Sequence, residues 1–183
     1  MNLTVPNLLS LLRMGLIPWF VVAVLDGDST QALWVFAVAG VTDALDGFIA
    51  RFWKQQSALG AYLDPMADKL LLVTAYVVLS IPGLREGLVI PAWVTALVIT
   101  RDVVIVVVAL ILYLAQGISQ FPPTPLSKLN TGTQVGTVIL VLLSSRGPQL
   151  EVAATVAVYL VALFTLGSGI EYIYRANHMT ERS

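Results

Sequence analysis

Six apolar stretches, at residues 8–25, 31–50, 61–81, 90–115, 131–144 and 152–174, limit the possible folds of this 183-residue chain more than any other feature. A helix that crosses the hydrocarbon of a bilayer needs about 20 mainly apolar residues. Most of the stretches approach that length; the fifth is the shortest and relies on its flanks. Turn-like punctuation separates them at Asp26-Gly27-Asp28-Ser29, Pro82-Gly83, Phe121-Pro122-Pro123-Thr124-Pro125 and Gly147-Pro148. Pro18 predicts a kink in the first. A soluble domain of this size covers its core with far more polar surface than 57% hydrophobic and 11% charged residues allow. The expected fold is all-α: an integral membrane bundle of six transmembrane helices forming a single domain over residues 1–183.

Basic residues near the span ends set the orientation. Arg51, Lys54, Lys128, Arg175 and Arg182 collect on one side, with Arg13 and Lys69 close to it, against Arg85 and Arg146 on the other. Both termini are therefore expected in the cytoplasm. The first stretch reads as a retained helix rather than a cleaved leader, because no Lys or Arg precedes it and Arg13 interrupts it. A net charge of −1 gives no sign of a nucleic-acid partner. With no cysteine and one histidine, His178 in the polar tail, thiolate catalysis, a histidine-ligated metal and a Ser-His triad all fall away.

Charges lie inside the apolar stretches, where an Asp or Arg at the centre of a lone helix costs roughly 2.5–3.5 kcal/mol. Asp43 and Asp46 fall in the second stretch, Asp64, Asp68 and Lys69 in the third, Arg101 and Asp102 in the fourth. Asp43, Asp46, Gly47 and Ala50 are spaced i, i+3, i+4, i+7, and Asp64 and Asp68 i, i+4, so each set forms one helical stripe. Antiparallel neighbours joined by a short loop bring the four carboxylates together near the cytoplasmic face. Mg²⁺ or Mn²⁺, two ions per site, would relieve their repulsion and suit phosphoryl chemistry. Gly47, Ala50 and Gly60 leave room for a ligand to approach the backbone, and Arg51 offers a fork that suits a diphosphate. A single intramembrane aspartate is more often a packing or ion-path residue, and small residues at helical spacing usually mean close helix contact. The conjunction of all of them is hard to assign to packing alone.

The run Asp43-x2-Asp46-Gly47-x2-Ala50-Arg51-x8-Gly60-x3-Asp64-x3-Asp68 resembles the signature of the CDP-alcohol phosphatidyltransferase family, with every specified position filled and every gap of the right length. The resemblance implies metal ligation by Asp43, Asp46, Asp64 and Asp68, with Asp68 also the base that deprotonates the acceptor hydroxyl. It implies that Gly47, Ala50, Arg51 and Gly60 bind the CDP-lipid, that the donor is CDP-diacylglycerol and CMP the leaving group, and that the protein is a homodimer. The expected location, from the asymmetry of basic residues, is a membrane with the site facing the cytoplasm, a bacterial inner or plasma membrane.

Pro6-Asn7-Leu8-Leu9-Ser10-Leu11-Leu12-Arg13 and Asp64-Pro65-Met66-Ala67-Asp68-Lys69 resemble the anionic-phospholipid branch of that family. Thr100-Arg101-Asp102-Val103 and Pro125-Leu126-Ser127-Lys128-Leu129-Asn130-Thr131 lean to the cardiolipin type, whose acceptor is phosphatidylglycerol, over the phosphatidylglycerophosphate type, which uses glycerol 3-phosphate. Arg101 and Lys128 are the candidate acceptor-binding cations. Against that role, Arg101 has a salt bridge to an aspartate as its alternative, and Lys128 a snorkelling position at the interface. Arg13 reads as interfacial and Lys69 as charge-balancing. Trp19, Trp34, Trp53 and Trp93 fall near expected span ends, where indoles settle. A divalent-cation or proton-coupled transporter is the competing class, but neither internal repeats nor interrupted helices support it.

Overall fold

The computed structural model describes the backbone of residues 5–53, 58–116 and 124–180, and side chains at 11–43, 69–108, 114, 124–172 and 174. Among the described residues there are six α-helices and no strand: α1 (Val5–Leu25), α2 (Ser29–Trp53), α3 (Ala58–Leu79), α4 (Ala92–Gln116), α5 (Pro125–Leu143) and α6 (Pro148–Thr180), with a single 3₁₀ turn, Ser144–Arg146, before α6. α1 stays helical through Pro18. Asp28 starts α2, its Oδ1 accepting from the backbone N–H of Thr30 at 3.0 Å and of Gln31 at 2.9 Å, which satisfies donors the helix leaves open.

The fifth helix is longer than its apolar stretch. It begins at Pro125 instead of residue 131, because Thr124 caps it, accepting from Ser127 N–H at 3.0 Å, and Pro125 brings a φ already set for the first turn. Part of the proline cluster expected as loop is thus a helix start.

α1 packs on α2 and α3, α5 on α6, and α4 on α6, while contacts of α5 with α2 and α3 join the two halves. The core runs from Phe20, Ala23, Phe36 and Ala39 through Ala75, Tyr76 and Leu79 to Val138, Val141, Val158 and Val161. Phe20 and Phe36 meet with ring centroids 5.9 Å apart. The segment between α3 and α4 folds back onto the α5–α6 corner, where Leu88 N–H donates to Ser144 Oγ at 2.8 Å. Gly87 lies against that corner at φ +92°, and a Cβ there would stand 2.5 Å from Ser144 Oγ and 2.8 Å from Ser145 N.

Polarity is distributed inside out. Arg13, Arg101, Asn130, Gln134, Thr137, Thr165 and Ser168 are buried, whereas Trp19, Trp34, Val106, Leu114, Leu163 and Ile170 are exposed. By length and composition one segment among the described residues, Pro148–Tyr172 of α6, is long and apolar enough to cross a membrane, and Leu11–Leu25 and Lys69–Leu79 are shorter apolar segments.

Candidate polar site between the helices

All eight signature positions fall on α2 and α3, which are helical throughout them. Positions 43, 46, 47 and 50 therefore keep their i, i+3, i+4, i+7 register on α2, and 64 and 68 their i, i+4 register on α3. The side chains of Asp46, Gly47, Ala50, Arg51, Gly60, Asp64 and Asp68 lie outside the described residues. Among the described residues no three acidic or histidine side chains cluster for a metal. Asp43 is the one motif carboxylate that is described. It is 43% exposed, and its Oδ1 lies 2.9 Å from Nη1 of Arg13 on α1, which is fully buried. Thr42 beside it is buried and ties back to the Ala39 carbonyl at 2.8 Å.

Arg13 is therefore not the interfacial residue expected from its position near a span end. A guanidinium inside an apolar helix must find a carboxylate, and the neighbouring helix presents Asp43. The same reasoning, applied to Arg13 from sequence, would have pointed to a motif aspartate. With one oxygen held by Arg13 and the carboxylate still open to ligands, Asp43 fits a hard-cation donor set, and aspartate is the only ligand type the signature supplies.

A second cluster centres on Arg101, which is 7% exposed. Its Nε donates to Ser168 Oγ of α6 at 3.0 Å, Nη2 to Ser127 Oγ of α5 at 2.7 Å, and Nη1 to Asp102 Oδ1 at 2.8 Å. Asp102 Oδ2 in turn lies 2.6 Å from Lys69 Nζ on α3. Of the two readings of Arg101 from sequence, the salt bridge to an aspartate is the one formed here, with Asp102. Lys69 balances Asp102. Since Lys69 directly follows Asp68, this network reaches the residue next to the signature's last aspartate. Lys128 is exposed in the first turn of α5, beside Ser127, and its backbone N–H donates to the Thr124 carbonyl at 3.1 Å.

Further along α5, Asn130 Oδ1 accepts from Thr165 Oγ1 at 3.2 Å, and the Tyr76 hydroxyl donates to the Gln134 carbonyl at 3.4 Å. The amide nitrogens Asn130 Nδ2 and Gln134 Nε2 are buried and have no hydrogen-bond partner among the described residues. Buried orphan donors are uncommon and usually meet water or a ligand. Gln134 and Ser168 escaped the sequence reading, and Ser127 and Asn130 entered it only as part of the run 125–131, because a lone hydroxyl or amide in an apolar helix carries no spacing signal.

Residues 3–167 match the family described as CDP-alcohol phosphatidyltransferase. The chain is 37% identical over 180 residues to "Cardiolipin synthase (CMP-forming)" of Homo sapiens, covering 88% of this chain and 56% of that one. It is 35% identical to "Probable phosphatidylglycerophosphate synthase" of Mycobacterium tuberculosis, covering 93% and 80%. Identity to "CDP-diacylglycerol--glycerol-3-phosphate 3-phosphatidyltransferase" of Haemophilus influenzae is 33%, covering 94% and 93%. The chain thus spans under two thirds of the human relative's length and nearly all of the Haemophilus one.

Proposed function

Because the chain belongs to the CDP-alcohol phosphatidyltransferase family, we propose that it transfers a phosphatidyl group from CDP-diacylglycerol to a glycerol-type hydroxyl in phospholipid biosynthesis. The observation that carries this reading is that the complete signature lies on two consecutive helices, flanked by the Arg13–Asp43 and Lys69–Asp102 ion pairs. Asp43, Asp46, Asp64 and Asp68 would hold two Mg²⁺ or Mn²⁺ ions, which when bound neutralise charge on the diphosphate. Gly47, Ala50 and Gly60 admit the cytidine, and Arg51 holds the diphosphate. Asp68 takes the proton of the acceptor hydroxyl as its oxygen attacks the phosphorus carrying diacylglycerol. A new P–O bond forms there, the bond from that phosphorus to the bridging oxygen breaks, and CMP leaves with the electron pair. Arg13 fixes the rotamer of Asp43 and so acts as a positioning residue.

Phosphatidylglycerol is our preferred acceptor, with its phosphate at Arg101 and Lys128. Glycerol 3-phosphate is the alternative, favoured by the high mutual coverage of the relative named for that acceptor. The protein works in the bilayer as a six-helix bundle, a reading supported by its outward apolar side chains and by α6. Both termini and the site face the cytoplasm of a bacterial inner or plasma membrane, as the distribution of basic residues suggests. The working unit is a homodimer.

Release of CMP by purified protein with CDP-diacylglycerol and Mg²⁺ or Mn²⁺, offered each acceptor separately, tests this. CMP with phosphatidylglycerol alone supports cardiolipin synthesis. CMP with glycerol 3-phosphate alone transfers the reading to phosphatidylglycerophosphate synthesis. Folded protein that releases none with either overturns both.

A further inference from the structure

Among the described residues, polar contacts tie α3 to the rest of the bundle at three heights. Near its C-terminus, Ile90 N–H donates to the Leu79 carbonyl at 3.0 Å. Further back, the Tyr76 carbonyl accepts from Thr95 Oγ1 of α4 at 3.2 Å, and the Tyr76 hydroxyl donates to the Gln134 carbonyl of α5 at 3.4 Å. The Lys69–Asp102 pair, at 2.6 Å, is the tie nearest to positions 64 and 68 of the signature, and it is the charged one of the three.

Lys69 and Tyr76 are about two helical turns apart, so they share one stripe of α3, and that stripe is held at two points against α4 and α5. At ~100° per residue, positions 68 and 64 lie about 100° and 140° round the helix from Lys69, both to the same side. The stripe that is held therefore dictates where the aspartate stripe faces. Its holder is firm. The Asp102 side chain is 13% exposed, and its other oxygen meets Arg101, which is braced to Ser127 of α5 and Ser168 of α6. Lys69, 47% exposed, is the adjustable partner.

We propose that Lys69 and Asp102 are positioning residues for the transfer reaction: their ion pair fixes the rotation of α3 about its own axis, and with it the aim of the Asp64–Asp68 stripe. This role rests on the metal reading of the signature given above and deepens it. The Tyr76 contacts fix one point of the stripe, and the ion pair two turns away removes the freedom to twist below it. At ~5 Å from the helix axis, a turn of ~15° carries a carboxylate about 1.3 Å, whereas a metal–ligand distance tolerates only about 0.2 Å. An ion pair with one half-exposed partner adds little to global stability. The pair is thus better placed to set geometry than to hold the fold.

Lys69→Met keeps the stem and removes the ammonium. Mn²⁺ binding to the purified protein without substrate, read by electron paramagnetic resonance, should weaken about tenfold, with the melting temperature of the metal-free protein unchanged. Lys69→Arg, which keeps a cation, should restore most of the affinity. Asp102→Asn should weaken Mn²⁺ binding by a similar factor, and Lys69→Met added to it should cost little more, because the two act as a unit. A second loss of about tenfold in the double variant would mean that they act separately, against the pair. Mn²⁺ bound as tightly by Lys69→Met as by the parent overturns the role, and so does a loss that Lys69→Arg fails to restore. Should Lys69→Met not fold, Asp102→Glu decides: it keeps the charge but lengthens the arm by one methylene, and an affinity equal to the parent's overturns the role. In all these cases the metal reading stands as long as the parent binds Mn²⁺ and Asp64→Asn loses it. A parent that binds no Mn²⁺, or an Asp64→Asn variant that binds it equally, removes the metal reading and this role with it.

Discussion

A buried guanidinium is tolerable only where its charge is answered, and Arg13 answers Asp43 at 2.9 Å. Arg13→Ala leaves that carboxylate without its counterion. It should lower stability in detergent by roughly 3 kcal/mol or less, since breaking a fully buried pair costs about 3–5 kcal/mol and Asp43 is 43% exposed. Thermal unfolding checks this, and a melting temperature equal to that of the parent would count against the pair. Arg13→Lys keeps the charge but loses the planar fork, so it should recover part of the loss. Asp68→Asn acts differently. If Asp68 is the base, CMP release should fall about 10²–10⁴-fold, with binding of a non-hydrolysable CDP-lipid analogue retained. Turnover kept in that variant would remove Asp68 from the role.

At the scale of elements, hydropathy and punctuation in the sequence already mark six helices. It was less informative at their ends. The fifth stretch reads as 131–144 because Lys128 and Asn130 break its apolar pattern, yet Thr124 and Pro125 start the helix a turn and a half earlier. Capping chemistry decided there, and a proline cluster hides it. Within the candidate site, the aspartate signature was legible because carboxylates at helical spacing are costly in hydrocarbon. The Arg101 hub was half legible: its charge stood out, whereas Ser127 and Ser168, on helices far along the chain, did not. Gly87 tests the corner that closes α3–α4 onto α5–α6. Gly87→Ala combines φ +92° with a Cβ 2.8 Å from the Ser145 nitrogen, so backbone or corner must shift. It should destabilise by about 1–3 kcal/mol while leaving KM for CDP-diacylglycerol unchanged. A melting temperature at or above the parent's would show that the corner yields freely.

For the whole molecule, the inside-out distribution of polarity and the asymmetry of basic residues make a prediction about sidedness. The chain has no cysteine, so single introduced thiols report cleanly. In intact cells Ser145→Cys, on the turn before α6, should react with a membrane-impermeant maleimide, and Thr180→Cys, at the end of α6, should react only after lysis. The opposite pattern inverts the proposed orientation, and equal labelling of both removes the single-pass geometry of α6. The three-way grip of Arg101 bears also on how such a chain is assembled. Ser127 and Ser168 are synthesised after α4, so an emerging α4 has neither hydroxyl to offer its guanidinium. Asp102, bonded to Arg101 at 2.8 Å on the same helix, travels with it. On the proposed bilayer topology the pair can enter the translocon as a nearly neutral dipole, so α4 need not carry a lone cation at roughly 2.5–3.5 kcal/mol until α6 arrives. Arg101 would then be inserted first and locked last, which makes the final helix the one that completes the bundle.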